Sequence, residues 1–188
     1  MVGVCRCSLV SFAVSIGLVV GVPLGALSGF HGGLTDLLIQ RLADVLLSFP
    51  GFLLALSLVS MLGVGLQNVI IAVGVSAIPS FIRLVRGSVL SIREHVFVEA
   101  ARALGQRPGI ILVRHVLPNA MAPIIVQATL NLGASILVAA GLGFLGLGVQ
   151  PPTAEWGTML GEGTAIYLPR PAVNAVSRLS HLSGCAWL

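Results

Sequence analysis

The feature that most constrains this chain is an uncharged segment that runs from Val45 to Ile82. A second uncharged segment follows from Val116 to Ala154. About 20 apolar residues of helix cross the hydrocarbon core of a bilayer. The first segment is too long for one such crossing and long enough for two, so the pattern indicates a helical membrane protein.

The composition agrees with this interpretation. Charged residues make up 9% of the chain and apolar residues 56%, with a mean hydropathy of +1.05, whereas a soluble domain is about 25% charged. The formal net charge is +4, but aromatic residues are only 5% and no basic stripe is interleaved with them. We therefore expect no nucleic-acid partner, and interpret the basic residues through the positive-inside rule.

We predict an all-α, polytopic bundle of about four spanning helices within a membrane domain of residues 1–166. Glycines and amides at Gly63–Asn68 divide the long uncharged segment by a tight turn. A glycine-rich and proline-containing stretch, 141–166, is predicted to be an external re-entrant or surface segment. We interpret 167–188 as an atypical tail, either an exposed extension or out-of-frame coding sequence. The predicted spans are 8–30, 45–62, 69–84 and 116–140.

Charge is concentrated in one part of the chain. The window from Arg83 to Arg114 holds eight of the sixteen charged side chains and six of the ten arginines. Because arginine-rich loops stay on the cytoplasmic side, the loop 85–115 is predicted to be cytoplasmic. Counting outward, the turn at Gly63–Asn68 and both chain ends are then external.

The loop has its own helical pattern from Arg93 to Leu104. Glu99 and Arg102 lie three apart on its polar side. Gly105 stands where a helix C-cap is expected. The residues that share the apolar face are Phe97, Ala100, Ala101 and Leu104.

A second short helix is predicted for 108–113, because Pro108 suits a first helical turn. The loop is therefore a helix, a glycine turn and a helix on the cytoplasmic side. Two uses remain open from the residues alone. The first helix can dock into a cleft of a soluble partner, or it can lie on the lipid surface, fastened by arginines.

The first span carries a glycine at every fourth position, which leaves a groove along one helix face. Packing against another helix of the bundle is one interpretation, and an interface that moves during transport is the other. Pro23 in the same span predicts a kink. The glycines are Gly17, Gly21, Gly25 and Gly29.

Three charged residues, Asp36, Arg41 and Asp44, precede the second span. Arg41 and Asp44 are three apart and are expected to pair on one helix face. They serve either as interfacial anchors or in a proton relay, but the uncharged spans argue against a relay. The energy for any transport is therefore expected to come from outside the spans.

No catalytic, metal or cofactor site is predicted. A phosphate-binding loop of the Walker type needs a lysine, and the ten basic residues are all arginine. The four histidines are scattered. Cys5, Cys7 and Cys185 lie at the chain ends without metal-ligand spacing. We expect a protein that is not an enzyme.

The loop and its surroundings resemble a known family. "EAARALG" followed by "RHVLPNAMAPIIV" resembles the EAA loop of inner-membrane permease subunits of binding-protein-dependent ABC transporters. "RLADVLLSFPGFLLAL" and "FLGLGVQPPTAEWGTML" are similar to the dipeptide, oligopeptide and nickel branch. The resemblance covers about Leu18 to Leu160.

This resemblance implies a subunit of a peptide importer in the bacterial inner membrane. The expected partners are ATP-binding cassette ATPases, a second, homologous permease and a periplasmic substrate-binding protein, with lipid around the spans. ATP is bound by the ATPases, so no cofactor is expected here. The loop becomes the coupling helix, and Glu99, Ala100, Ala101, Arg102 and Gly105 contact or shape the ATPase interface.

The resemblance also implies a bundle of six spans, of which four are predicted here. The chain is therefore expected to be a permease truncated at both ends. A truncated, non-functional or regulatory permease fragment that does not transport by itself is the alternative function. A carrier that works without an ATPase is a third.

Overall fold

The computed structural model describes residues 2–148, 157, 160 and 161, with side chains from residue 10 onward. The described residues form helices and no strands, which confirms the all-α class. The α-helices are α1 (Val2–His31), α2 (Gly33–Leu47), α3 (Gly51–Leu62), α4 (Leu66–Ile92), α5 (Val96–Ala103), α6 (Pro108–Ile111), α7 (Leu117–Asn119) and α8 (Met121–Phe144). A π-helical segment, Leu112–Val116, lies between α6 and α7.

Three of the described helices are long and apolar enough to cross a bilayer by themselves: Val10–His31, Leu66–Ile92 and Met121–Phe144. Helices α2 and α3 meet these criteria only as a pair, and the pair is bent by 85°. The described residues therefore supply three spans, or four if the bent pair counts as one.

Helix α1 packs against α4 through its glycines. All four glycines of the first-span pattern are buried and face α4. A Cβ atom on Gly25 would lie 2.7 Å from the carbonyl oxygen of Ile82 and 2.9 Å from Cβ of Val85. A Cβ atom on Gly21 would lie 2.6 Å from Cβ of Phe81. The two backbones thus approach as closely as small-residue interfaces in membranes allow.

The second span is not the continuous helix that was predicted for 45–62. Helix α2 ends at Leu47 and α3 begins at Gly51. Pro50 is extended, with φ −53° and ψ 133°. A proline disfavours the helical conformation in the residue before it and has no backbone donor, so the chain turns here.

Helix α4 is longer than the predicted span 69–84. It runs on to Ile92, so the first part of the predicted loop 85–115 is helical. Arg83 and Arg86 lie within this helix, and each is paired with an aspartate of α2. Arginine has a high helix propensity. Between Arg86 and Ile92 the chain has no proline and no two adjacent glycines that would favour an earlier end of the helix. The turn predicted at Gly63–Asn68 is shorter than expected and covers 63–65, since α3 ends at Leu62 and α4 begins at Leu66.

Helix α8 is four residues longer than the predicted span 116–140 at its C-terminal end. Gly141 lies within the helix and allows close contact with α3, since a Cβ there would lie 2.7 Å from Cε2 of Phe52. The helix ends before Gly146, which has φ +75°. Most of the predicted surface segment 141–166 and all of the tail 167–188 lie outside the described residues.

We predict that Gly25→Ala lowers the thermal unfolding midpoint of the detergent-solubilised protein. The added methyl group meets backbone of α4, and overpacking of this kind costs about 1–3 kcal/mol. The matched control is Gly87→Ala on α4, where a Cβ has open space and helix propensity favours alanine by up to about 1 kcal/mol. Equal midpoints for the two variants would contradict the close α1–α4 contact.

Candidate functional site

The charged loop is fixed to the spanning helices along one side of α5. Val98 and Ala101 are buried in the same core cluster as Val85 and Val89 of α4 and Ala26 of α1. The cluster continues through the second half of the loop into α8. Its further buried members are Ile111, Leu112, Val116, Ala120 and Ile124.

The other side of α5 is apolar and exposed. Leu104 is 81% exposed and Phe97 is 42% exposed, and Ala100 between them is exposed as well. Of the four residues predicted to share the apolar face, Phe97, Ala100 and Leu104 are exposed and Ala101 is buried. In a helix of eight residues, Val98 and Ala101 suffice to hold one side, and Phe97, Ala100 and Leu104 remain on the other. We call these three residues the loop patch.

Gly105 ends α5 in a Schellman motif. Its φ is +74°, a conformation that side chains disfavour. The amide of Gly105 donates to the carbonyl of Arg102 at 2.9 Å, and the amide of Gln106 donates to the carbonyl of Ala101 at 3.3 Å. These two bonds are the pattern by which a glycine closes a helix C-terminus. The turn fixes the direction in which the chain leaves the loop patch.

The second half of the loop differs from the predicted helix 108–113. Helix α6 begins at Pro108, but from Leu112 to Val116 the chain is π-helical. The wider turn is accompanied by side-chain bonds on its polar side. Asn119 Nδ2 donates to the carbonyl of His115 at 2.7 Å, and His115 Nε2 lies 3.2 Å from Gln106 Oε1.

Glu99 and Arg102 occupy the exposed polar side of α5. The Arg102 guanidinium carbon lies 5.9 Å from the ring centroid of Phe30, at the end of α1, within the range of a cation–π interaction. Glu99 lies in the first turn of α5, where a negative charge suits the helix dipole. Beside Arg102 is a cavity of about 330 Å³, lined by Phe30, His31, Arg102, Gln106, Pro108 and Ile111.

Two ion pairs join α2 to α4. Asp36 accepts bonds from Arg86 Nε and Nη2, both at 2.6 Å. Asp44 accepts a bond from Arg83 Nη2 at 2.6 Å. The expected pair of Arg41 with Asp44 is therefore replaced by a pair between helices, because α4 brings Arg83 to the same carboxylate.

The Asp36 carboxylate has further support from α1. The buried Ser28 hydroxyl donates to Asp36 Oδ1 at 2.5 Å, and Gln40 Nε2 donates to Ser28 Oγ at 3.2 Å.

Sequence reasoning named Asp36 but missed its partners, and it missed Asn131 altogether. Asn131 Nδ2, in the middle of α8, is buried without a hydrogen-bond partner. Its spacing from Gln127 and Ser135, four residues on each side, is the signal that would have drawn attention to it. Within the described residues, no three His, Cys, Asp or Glu side chains are grouped as a metal site would need.

These features define an α-helical membrane protein whose spans are linked by a short amphipathic loop helix. Residues 21–176 match the family described as "binding-protein-dependent transport system inner membrane component". The chain belongs to this family and is an inner-membrane protein. The predicted membership in this class of permeases is thereby confirmed.

Relatives of known name support a peptide-type branch. The chain is 51% identical over 151 residues to the dipeptide transport system permease protein DppC of Alkalihalophilus pseudofirmus, covering 80% of this chain and 50% of the relative. It is 50% identical over 169 residues to the glutathione transport system permease protein GsiD of Escherichia coli O157:H7, covering 90% and 56%. The chain thus spans about half the length of the curated relatives it matches.

The fold is also found in a solved structure. The MetNI methionine ABC transporter in an inward-facing conformation superposes with a TM-score of 0.73 at 23% identity, covering 96% of this chain and 90% of that chain. At this identity the likeness concerns the fold alone.

We predict that Gly105→Ala speeds amide hydrogen exchange in Val96–Ala103. Placing a methyl-bearing residue at positive φ costs about 1 kcal/mol or more, and the loss weakens the two closing hydrogen bonds. Gly109→Ala is the control, because a Cβ there has open space and Gly109 does not have a positive φ. Unchanged exchange in Gly105→Ala would show that the Schellman turn does not stabilise α5.

Proposed function

We propose that the chain is a permease subunit of an ABC importer. It forms part of the membrane path for peptides and couples to ATP hydrolysis by a partner subunit. The observation that carries this proposal is the two-sided loop helix. One side of α5 is buried with α1 and α4, and the loop patch on the other side is exposed.

The loop patch suits a protein surface. An exposed apolar patch is typical of an interaction site, and Glu99 and Arg102 are exposed on the polar side of the same short helix. The resemblance of EAARALG to the EAA loop supports an ATP-binding cassette ATPase as the occupant. When that partner moves the loop patch, the buried side of α5 transmits the displacement to α1 and α4.

The residues of this chain also bear on the source of energy for transport. Its long apolar spans hold no carboxylate that could take up and release protons in a relay, apart from the two paired aspartates at their edge. The chain has no lysine for a Walker-type phosphate loop. Binding and hydrolysis of ATP therefore belong to the partner, and the chain itself needs no cofactor.

The further partners and the cargo rest on the family. A second permease would complete the path, and a substrate-binding protein would deliver cargo from the periplasm. The names of the relatives, a dipeptide and a glutathione permease, support short peptides as the cargo class. Uptake of labelled dipeptide into proteoliposomes that hold all these subunits tests the proposal, and uptake without ATP hydrolysis would contradict it.

We predict that Leu104→Gln weakens co-purification with the ATPase. Truncating an apolar anchor at the centre of an interface typically costs at least about 1–2 kcal/mol, or roughly tenfold in affinity. Met61→Gln is the control, since Met61 is as exposed as Leu104, 85% against 81%, but lies at the opposite end of the bundle. Equal recovery of the ATPase with both variants would contradict docking on the loop patch.

A second pair of variants tests the polar side of α5 and the turn. Glu99→Lys reverses the charge beside the loop patch, and Gly105→Pro removes the amide that bonds to Arg102. We expect both to reduce association or to separate ATP hydrolysis from uptake. If both variants leave association with the ATPase and the coupling of hydrolysis to uptake unchanged, the proposal that the ATPase docks on this loop is wrong.

A further inference from the structure

The Asp36–Arg86 pair joins three helices at one level of the bundle. Arg86 of α4 holds both oxygens of the Asp36 carboxylate, and Ser28 of α1 donates to one of them. A few residues along α4, Arg93 Nη1 donates to the carbonyl of Gly29 at 3.1 Å. We call Asp36, Arg86 and Ser28 the α2 clamp. Two-oxygen contact with an arginine fixes orientation as well as distance.

Besides the α2 clamp, helix α2 is held by the Arg83–Asp44 pair, by Gln40, whose Nε2 donates to Ser28 Oγ, and by the buried Ala43. It follows α1 through Gly32 and Gly33, which both have positive φ, 67° and 61°, and where a Cβ would meet no neighbour. At its other end it is separated from α3 by the 85° bend. Its covalent links therefore permit rotation, and the side-chain contacts with α1 and α4 decide its position.

The clamp is also the more shielded of the two ion pairs between α2 and α4. The side chains of Arg86 and Asp36 are 33% and 19% exposed, against 55% and 48% for Arg83 and Asp44. Exposed pairs contribute little to stability, while removing one partner of a shielded pair leaves an uncompensated charge. The two pairs thus form a natural comparison between the same two helices.

Position matters for α2 because it leads into α3. Ala55 and Val59 of α3 are buried in a core cluster with Ala139 and Leu142 of α8. Movement of α5 reaches α4 directly through the cluster of Val98, Val85 and Val89. The clamp is the more shielded of the two polar connections through which α4 can carry α2, and α2 in turn leads to α3.

We propose that Asp36 is a positioning residue: by holding Arg86 and Ser28 it makes α2 move with α1 and α4, so that displacement of the loop reaches α3. This inference rests on the proposed function for its consequence in transport. Its structural part, the fixation of α2, is testable without any partner.

The first experiment measures amide hydrogen exchange in α2 of the solubilised chain. Asp36→Asn keeps the size of the side chain and removes its charge, and Asp44→Asn is the matched control on the same helix. We expect exchange in Gly33–Leu47 to rise about tenfold in Asp36→Asn, as for a local opening made easier by loss of a shielded contact, and to change less than about twofold in Asp44→Asn. Equal exchange rates in Asp36→Asn and Asp44→Asn would overturn the proposal that the clamp fixes α2.

The second experiment measures peptide uptake and ATP hydrolysis by the reconstituted complex of permeases, ATPase and binding protein. A clamp that transmits movement predicts that Asp36→Asn raises the ATP hydrolysed per peptide by about tenfold, within the range of typical coupling between sites. Arg86→Gln and the double variant are expected to give the same ratio as Asp36→Asn, because the two residues act as one unit. A purely structural role would lower uptake and hydrolysis together and leave their ratio unchanged, which overturns the proposal.

The outcomes separate the two proposals. A wild-type complex that neither hydrolyses ATP in response to cargo nor takes up peptide refutes the proposed function, while the exchange experiment still decides the clamp. If Asp36→Asn cannot be recovered in folded form, Ser28→Ala replaces it. This variant removes one donor to Asp36 and keeps both charges, and unchanged exchange in α2 of Ser28→Ala overturns the clamp.

Discussion

The bundle depends on the absence of Cβ atoms along one face of α1. In lipid there is little hydrophobic gain from bringing two apolar helices together, so contact packing must stabilise them. Gly21 and Gly25 allow α1 to lie against the backbone of α4. The close approach brings Ser28 and Gly29 of α1 within reach of polar side chains from α2 and α4. The same contact places Ala26 of α1 in the buried cluster that holds Val98 and Ala101 of α5.

Charge has a different role in this chain from the one that a count of arginines suggests. Positive residues near a span are usually treated as topological markers, and the cluster from Arg83 to Arg114 fits that use. In the structure, Arg83 and Arg86 are bonded to aspartates and Arg93 to a backbone carbonyl. Arg86 and Arg93 thus hold helices to one another, Arg83 adds a more exposed pair, and Arg102 lies over the ring of Phe30.

The structure was predicted best at positions whose conformation or packing depends on a property that few residue types have. The four-residue glycine pattern predicted a close helix contact, and Gly105 predicted the end of α5, since only glycine lacks a Cβ atom and glycine adopts positive φ most readily. The bend before Gly51 was missed, although Pro50 was visible, because apolar residues continue on both sides. The partners of Asp36 and Asp44 could not be deduced, because Arg83 and Arg86 lie some forty to fifty residues away in the chain. The burial of Val98 was not predicted for the same reason, since its neighbours come from helices distant in the sequence.

The break between α2 and α3 has a consequence for the surrounding lipid. A helix of twelve residues is about 18 Å long, well short of the roughly 30 Å of hydrocarbon in a bilayer. Lipid tails cannot bond to a free backbone group, so a broken crossing ordinarily draws in water or thins the membrane. Here the Ser48 amide and hydroxyl both donate to the carbonyl of Asp44, the Leu54 amide donates to Pro50, and Pro50 has no amide to leave unbonded. The bend carries part of its own hydrogen bonding, which reduces the disturbance that it imposes on the bilayer.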